Sequence, residues 1–222
     1  TRVRSSAASD VYKRQIQYRM KTRYFITDFI SDIRRNLERY KLRCIIVAAS
    51  FILGVILGIV FLESIRAVQW LMYEDYCRLD DLLGIEGFFQ AAMMLFFSGF
   101  RFVLLALICC LAKKLTPVFY FISFVRGMAF IAAVITAIEE FMIIGVIYVI
   151  LIPIVFQLVV LTIFIICCAM VSAMDNCNIS VFKERAIKLG WLALASAAVL
   201  LAISLILSFI LVLILKPLLM FI

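Results

Sequence analysis

The chain has 222 residues, 67% of them hydrophobic and only 16% charged, with a mean hydropathy of +1.17 and a formal net charge of +8. A soluble domain is about half apolar and a quarter charged, so soluble globular folds are excluded and the apolar excess must face lipid. The positive residues gather beside apolar segments, which makes them a signal of membrane orientation and not of nucleic-acid binding.

In chain order, residues 1–15 (Thr1 to Gln15, with no initiating Met) resemble translated adapter read-through from metagenomic assembly. They are expected to be an artefactual or disordered leader. Residues 16–43 follow. Between Arg23 and Arg43 the apolar residues Ile26, Ile30, Ile33, Leu37 and Tyr40 recur at helical spacing, and Arg34, Arg35, Arg39, Lys41 and Arg43 fill the remainder. The pattern predicts a basic amphipathic helix on the inner leaflet, each well-placed Lys or Arg being attracted to anionic lipid by about 1 kcal/mol.

Residues 44–222 read as a transmembrane bundle. Five apolar segments, Cys44 to Leu62, Gly87 to Ala112, Val118 to Ile138, Phe141 to Val171 and Leu189 to Leu215, reach or exceed the roughly 20 residues that a helix needs to cross. Basic flanks before the first segment, at Lys113 and Lys114, and at Lys183, Arg185 and Lys188 alternate with acidic breaks. The positive-inside rule then puts the N-terminus in the cytoplasm and the C-terminus outside. The fold class expected is all-α: a polytopic helical bundle of about five crossings with amphipathic interfacial helices. Residues 63–90 are too charged to cross. Trp70, Tyr73 and Tyr76 suit the headgroup level, so this segment is expected to lie on the outer surface and to offer a partner surface. Pro153, in the overlong fourth segment, removes an amide donor and marks a helix break, either a half-helix followed by a full one or a kink in a tilted helix.

Chemistry is constrained by the absence of histidine, which removes His-based nucleophile systems, HExxH metal sites and imidazole relays. The seven cysteines form no CxxC pair, and Cys109-Cys110 and Cys167-Cys168 lie inside apolar runs as lipid-facing or packing residues. No P-loop, nucleophile elbow or dinucleotide fingerprint is present, so no catalytic residue, cofactor or metal is expected. Arg101 and Arg126 stand out because each lies inside an apolar segment. Each is about twelve residues, or roughly 18 Å, from the Lys113-Lys114 turn. Two mid-membrane cations need acceptors, and Glu139, Glu140, Gln157 or carbonyls near Pro153 could complete an intramembrane polar cluster, unless the arginines snorkel to an interface. Gly54 and Gly58 form a GxxxG face that suits close helix packing within the subunit, with homodimerisation as the alternative.

In this order the chain resembles the stage II sporulation protein M family of integral membrane proteins. The likeness is carried by the basic N-terminal helix running into Phe51-Ile52-Leu53-Gly54-Val55-Ile56-Leu57-Gly58, the amphipathic outer segment, and Phe124-Val125-Arg126-Gly127-Met128. The proline-interrupted fourth segment and the ending Lys216-Pro217-Leu218-Leu219-Met220 complete it. The resemblance implies a non-enzymatic scaffold in a bacterial cytoplasmic membrane. Its partners would be septal peptidoglycan hydrolases, the stage II sporulation proteins D and P, which the family localises during engulfment. The alternative is the permease subunit of an exporter, with Arg101, Arg126 and Gln157 lining a path.

Overall fold

The computed structural model describes residues 28–61, 88–111, 116–176 and 182–215, excepting the side chains at 140, 141, 144, 214 and 215. The leader over 1–15 and the outer residues Trp70, Tyr73 and Tyr76 lie outside the described residues. Those described are helical, with no strand among them. Helix α1 covers 28–39. Five helices are long and apolar enough to span a membrane: α2 (Lys41–Val60), α3 (Phe88–Cys109), α4 (Pro117–Glu139), α5 (Gly145–Asn176) and α6 (Phe182–Leu213). The protein is therefore a multi-pass helical bundle, as its hydropathy predicts.

The bundle is built from two close pairs. Helices α2 and α4 run parallel, because pairing residues rise together on both. Ser123 Oγ donates to the Val47 carbonyl at 3.0 Å, Gly127 lies against the Phe51 carbonyl, and Gly58 lies against Met128 and Ile131. Glycine is needed at this seam: a Cβ at Gly54 would sit 2.1 Å from the Phe124 carbonyl oxygen, and one at Gly127 would sit 2.3 Å from that of Phe51. Such closeness gives the backbone contact that replaces the hydrophobic effect between helices in lipid. The GxxxG face is thus filled from within the chain, by the α4 backbone at Phe124 and Met128 and by the Ile131 side chain.

Helices α3 and α6 form the second pair and run antiparallel. Arg185 Nε donates to the Cys110 carbonyl at one end (3.0 Å), and Ser208 Oγ to the Phe88 carbonyl at the other (2.6 Å). Small buried residues on α3, Ala91, Ala92, Ser98, Gly99 and Ala106, allow the approach. On α6 the buried positions Leu192, Ser196, Leu200, Ser204 and Ser208 repeat every four residues and form one helical stripe. Ser196 Oγ returns its proton to the Leu192 carbonyl at 2.8 Å, so a polar atom on this stripe is satisfied within its own helix.

Helix α5 threads between the pairs. It is 32 residues long, against 23 for α4, or about 48 Å against about 34 Å. Yet the two helices meet at both ends: Thr116 Oγ1 donates to Asp175 at 2.8 Å, and Gly145 abuts the Ala137 backbone. Helix α5 therefore cannot run straight and parallel to α4. Its extra length goes into tilt and into a π-helical turn, Ile150–Ile154, that holds the buried Pro153. The proline interruption thus takes the form of a widened turn within one continuous passage. This matches the kinked helix and not a separate half-helix. The chain reversal between α4 and α5 comes earlier, at Met142 (φ 47°, ψ −120°), the one non-glycine residue of positive φ among those described. A left-handed methionine costs on the order of 1–3 kcal/mol, and packing of the two helices on either side holds it in place.

Helix α1 docks where α5 ends. Asn36 Nδ2 donates to Met170 Sδ at 3.3 Å, Asn176 Nδ2 to Tyr40 Oη at 3.4 Å, and Phe29 packs against the core. One end of the bundle consequently collects the starts of α2, α4 and α6, the ends of α3 and α5, and with them Arg39, Lys41, Arg43, Lys183, Arg185 and Lys188. The C-terminal end of α6 lies at the opposite end.

Candidate functional site

Arg126 belongs to α4 by sequence but to the middle of the bundle by contact. Its Nε donates to Gln157 Oε1 of α5 at 3.1 Å and its Nη1 to the Ser98 carbonyl of α3 at 3.2 Å. The guanidinium carbon stands 4.7 Å from the centroid of the Phe102 ring on α3. Only 2% of the residue is exposed, and it is among the largest fully buried side chains. A cation at mid-membrane costs at least ~2.5 kcal/mol, and charge-assisted hydrogen bonds and a cation–π contact are what offset such a cost. Arg126 connects the α2/α4 pair to the α3/α6 pair and fastens α5 to both. Gln157, itself buried, is positioned for this three residues beyond the π turn.

Arg101 meets the same ring. Its guanidinium carbon lies 5.1 Å from the Phe102 centroid, yet the residue is exposed. The sequence-derived cluster is thus partly assembled: Arg126 binds Gln157 and shares the Phe102 ring with Arg101. Glu139 is exposed at the far end of α4, about 20 Å of helix from Arg126, and the side chain of Glu140 lies outside the described residues. The proximity of Phe102 and the Ser98 carbonyl is not legible from spacing, because neither residue type announces itself as an arginine partner.

A second buried polar group lies at the basic end. Arg185 forms an ion pair with Asp175, with side-chain exposures of 3% and 6%. Arg185 Nε also holds the Cys110 carbonyl, and Asp175 accepts from Thr116. Four helix ends are tied by these contacts. In the sequence Arg185 reads as one charge of a cytoplasmic loop. The available clue is that Asp175 ends an apolar segment and the basic residues resume within the next turn, so the two helix ends face each other.

The cysteines behave as small core residues. Cys44 Sγ lies 3.9 Å from the Ile165 carbonyl, Cys167 Sγ lies 3.7 Å from Ser196 Oγ, and both are buried. The site therefore offers hydrogen bonding and charge within a packed interface. Searches of protein-family models, of curated proteins and of solved structures gave no match to this chain.

Proposed function

We propose that the protein is a non-enzymatic scaffold of a bacterial cytoplasmic membrane, with its basic end in the cytoplasm and the end of α6 outside. On this reading it positions septal peptidoglycan hydrolases of the stage II sporulation D and P type. The observation that carries the proposal is the placement of Arg126. An exporter permease would use a mid-membrane cation to line a wet path, whereas a scaffold needs a rigid bundle. Arg126 is 2% exposed and is spent on Gln157, Ser98 and Phe102, all within the chain. The collection of basic residues at one end favours the proposed orientation. The lack of histidine throughout the sequence favours leaving the chemistry to partners.

The test is co-expression of the full chain with tagged hydrolases of that type. The expected result is co-purification from detergent-solubilised membranes, reduced several-fold when Trp70, Tyr73 and Tyr76 are together replaced by glutamate. Unchanged recovery in the variant would refute the outer segment as the contact. Absence of recovery from the wild type, or stable recovery of an ATPase subunit instead, would refute the scaffold.

A further inference from the structure

Helix α1 and the first turn of α2 carry four arginines, and the chain treats them in two ways. Arg34 pairs with Glu38 at 3.4 Å and Arg35 with Asp32 at 2.6 Å, so both are answered within α1. Arg39 and Arg43 meet no carboxylate among the described residues. Their guanidinium carbons lie instead 5.8 Å and 5.6 Å from the centroid of one ring, that of Tyr40.

That ring is tied to the bundle. The backbone leaves helical geometry at Tyr40 (φ −109°, ψ 27°), where α1 gives way to α2, and Asn176 at the end of α5 donates to the Tyr40 hydroxyl at 3.4 Å. Two cations four residues apart on a helix repel, and contact with a neutral ring leaves their charge in place. A phosphate that accepts from both removes the repulsion and suits the guanidinium fork.

The surroundings select the kind of phosphate. Helix α2 has 20 residues, or about 30 Å, the thickness of the hydrocarbon core, so its first turn lies at the headgroup level. From there an apolar stripe descends: Leu42, Ile46, Ala49 and Leu53 recur at helical spacing and are all exposed. An acidic protein segment would answer the arginines and leave this stripe bare, whereas a lipid answers both. A choline headgroup would bring a third cation to a place where Glu38 is already engaged by Arg34. We infer that Arg39, Arg43 and Tyr40 form a seat for one anionic phospholipid, its phosphate between the two guanidiniums and its acyl chains along the exposed stripe of α2. Such a seat differs from the general attraction of a basic helix to a leaflet, because it singles out two of the four arginines. The inference rests on the basic end of the bundle and not on the scaffold reading, so either can fail without the other.

The probe is dioleoyl phosphatidylglycerol, titrated into the full chain in neutral detergent micelles, with bound lipid counted by native mass spectrometry. Dioleoyl phosphatidylcholine and inorganic phosphate are the comparison ligands. One phosphatidylglycerol is expected to bind about tenfold more tightly than phosphatidylcholine. The preference should vanish in Arg39→Gln/Arg43→Gln and stay within about twofold of wild type in Arg34→Gln/Arg35→Gln, which removes the same charge. Tyr40→Leu removes no charge and should still weaken the preference several-fold. Because Arg39 is exposed and Arg43 only half-buried, unchanged thermal unfolding of the lipid-free chain is expected in their double variant and separates loss of the seat from loss of fold. Equal loss of preference in the two double variants would reduce the site to diffuse attraction and overturn the inference. Equal binding of the two lipids would overturn it too, as would displacement of phosphatidylglycerol by inorganic phosphate, the mark of a site for a free anion.

Discussion

Arg126 and Arg185 are buried to nearly the same extent, 2% and 3% exposed, but the bundle uses them differently. Arg185 sits at a helix start beside the membrane surface and is held by a carboxylate, Asp175. Arg126 sits near the middle, where its hydrogen bonds go to an amide and a backbone carbonyl and its face to an aromatic ring. The difference lies in what is stranded when one partner is lost. Removing Asp175 leaves a buried charge, whereas the hydrogen-bond partners of Arg126 described above, Gln157 and the Ser98 carbonyl, are neutral. Breaking a buried ion pair costs more than leaving a neutral polar group unsatisfied. The end cluster is therefore the more fragile device, although the central one lies deeper in the membrane.

The largest effect is expected from Asp175→Ala, which should lower stability by about 3–5 kcal/mol in equilibrium unfolding in mixed detergent micelles. Adding Arg185→Met should recover most of that loss, and failure to recover would mean that Asp175 acts mainly through Thr116. Next, Gly127→Val drives a side chain into the Phe51 carbonyl and should cost about 1–3 kcal/mol. Disulfide yield between cysteines placed at Val47 and Ser123 should fall with it, since the damage is confined to the α2/α4 seam. Arg126→Met should cost about 1–2 kcal/mol, and pairing it with Gln157→Leu should return stability to near wild type. A loss for Arg126→Met as large as that for Asp175→Ala would erase the distinction between the sites. Ser208→Ala removes one bond to the Phe88 carbonyl and should cost only about 0.5–1.5 kcal/mol.

The helical class and the five spans were legible in the sequence because a bilayer imposes length and hydropathy so strongly that each crossing declares itself. Arg126 was legible for the same reason: a cation within an apolar run is conspicuous. Its partners were not. Ser98 contributes a backbone carbonyl, which every residue possesses, and Phe102 is one of 20 phenylalanines. Gly54 and Gly58 announced a close contact, but only the folded chain supplies the surface they meet, the α4 backbone at Phe124 and Met128. The α4–α5 reversal was legible to within a few residues, as the acidic break at Glu139 and Glu140 between the third and fourth segments. Its form was hidden: it turns on the positive φ of Met142, with Gly145 close against the Ala137 backbone. Pro153, the conspicuous breaker, is absorbed by a π turn.

The central claim is that Arg126 fastens a dry interface and does not line a water path. Thiol labelling at Ser98→Cys tests it most directly, because the carbonyl of that residue accepts from Arg126 and its side chain is buried. In a background free of other cysteines, in proteoliposomes with both faces accessible, a charged methanethiosulfonate should leave Ser98→Cys unmodified while labelling Lys188→Cys readily. Labelling of Ser98→Cys at a rate close to that of Lys188→Cys would contradict the account and restore a conduction path through the bundle.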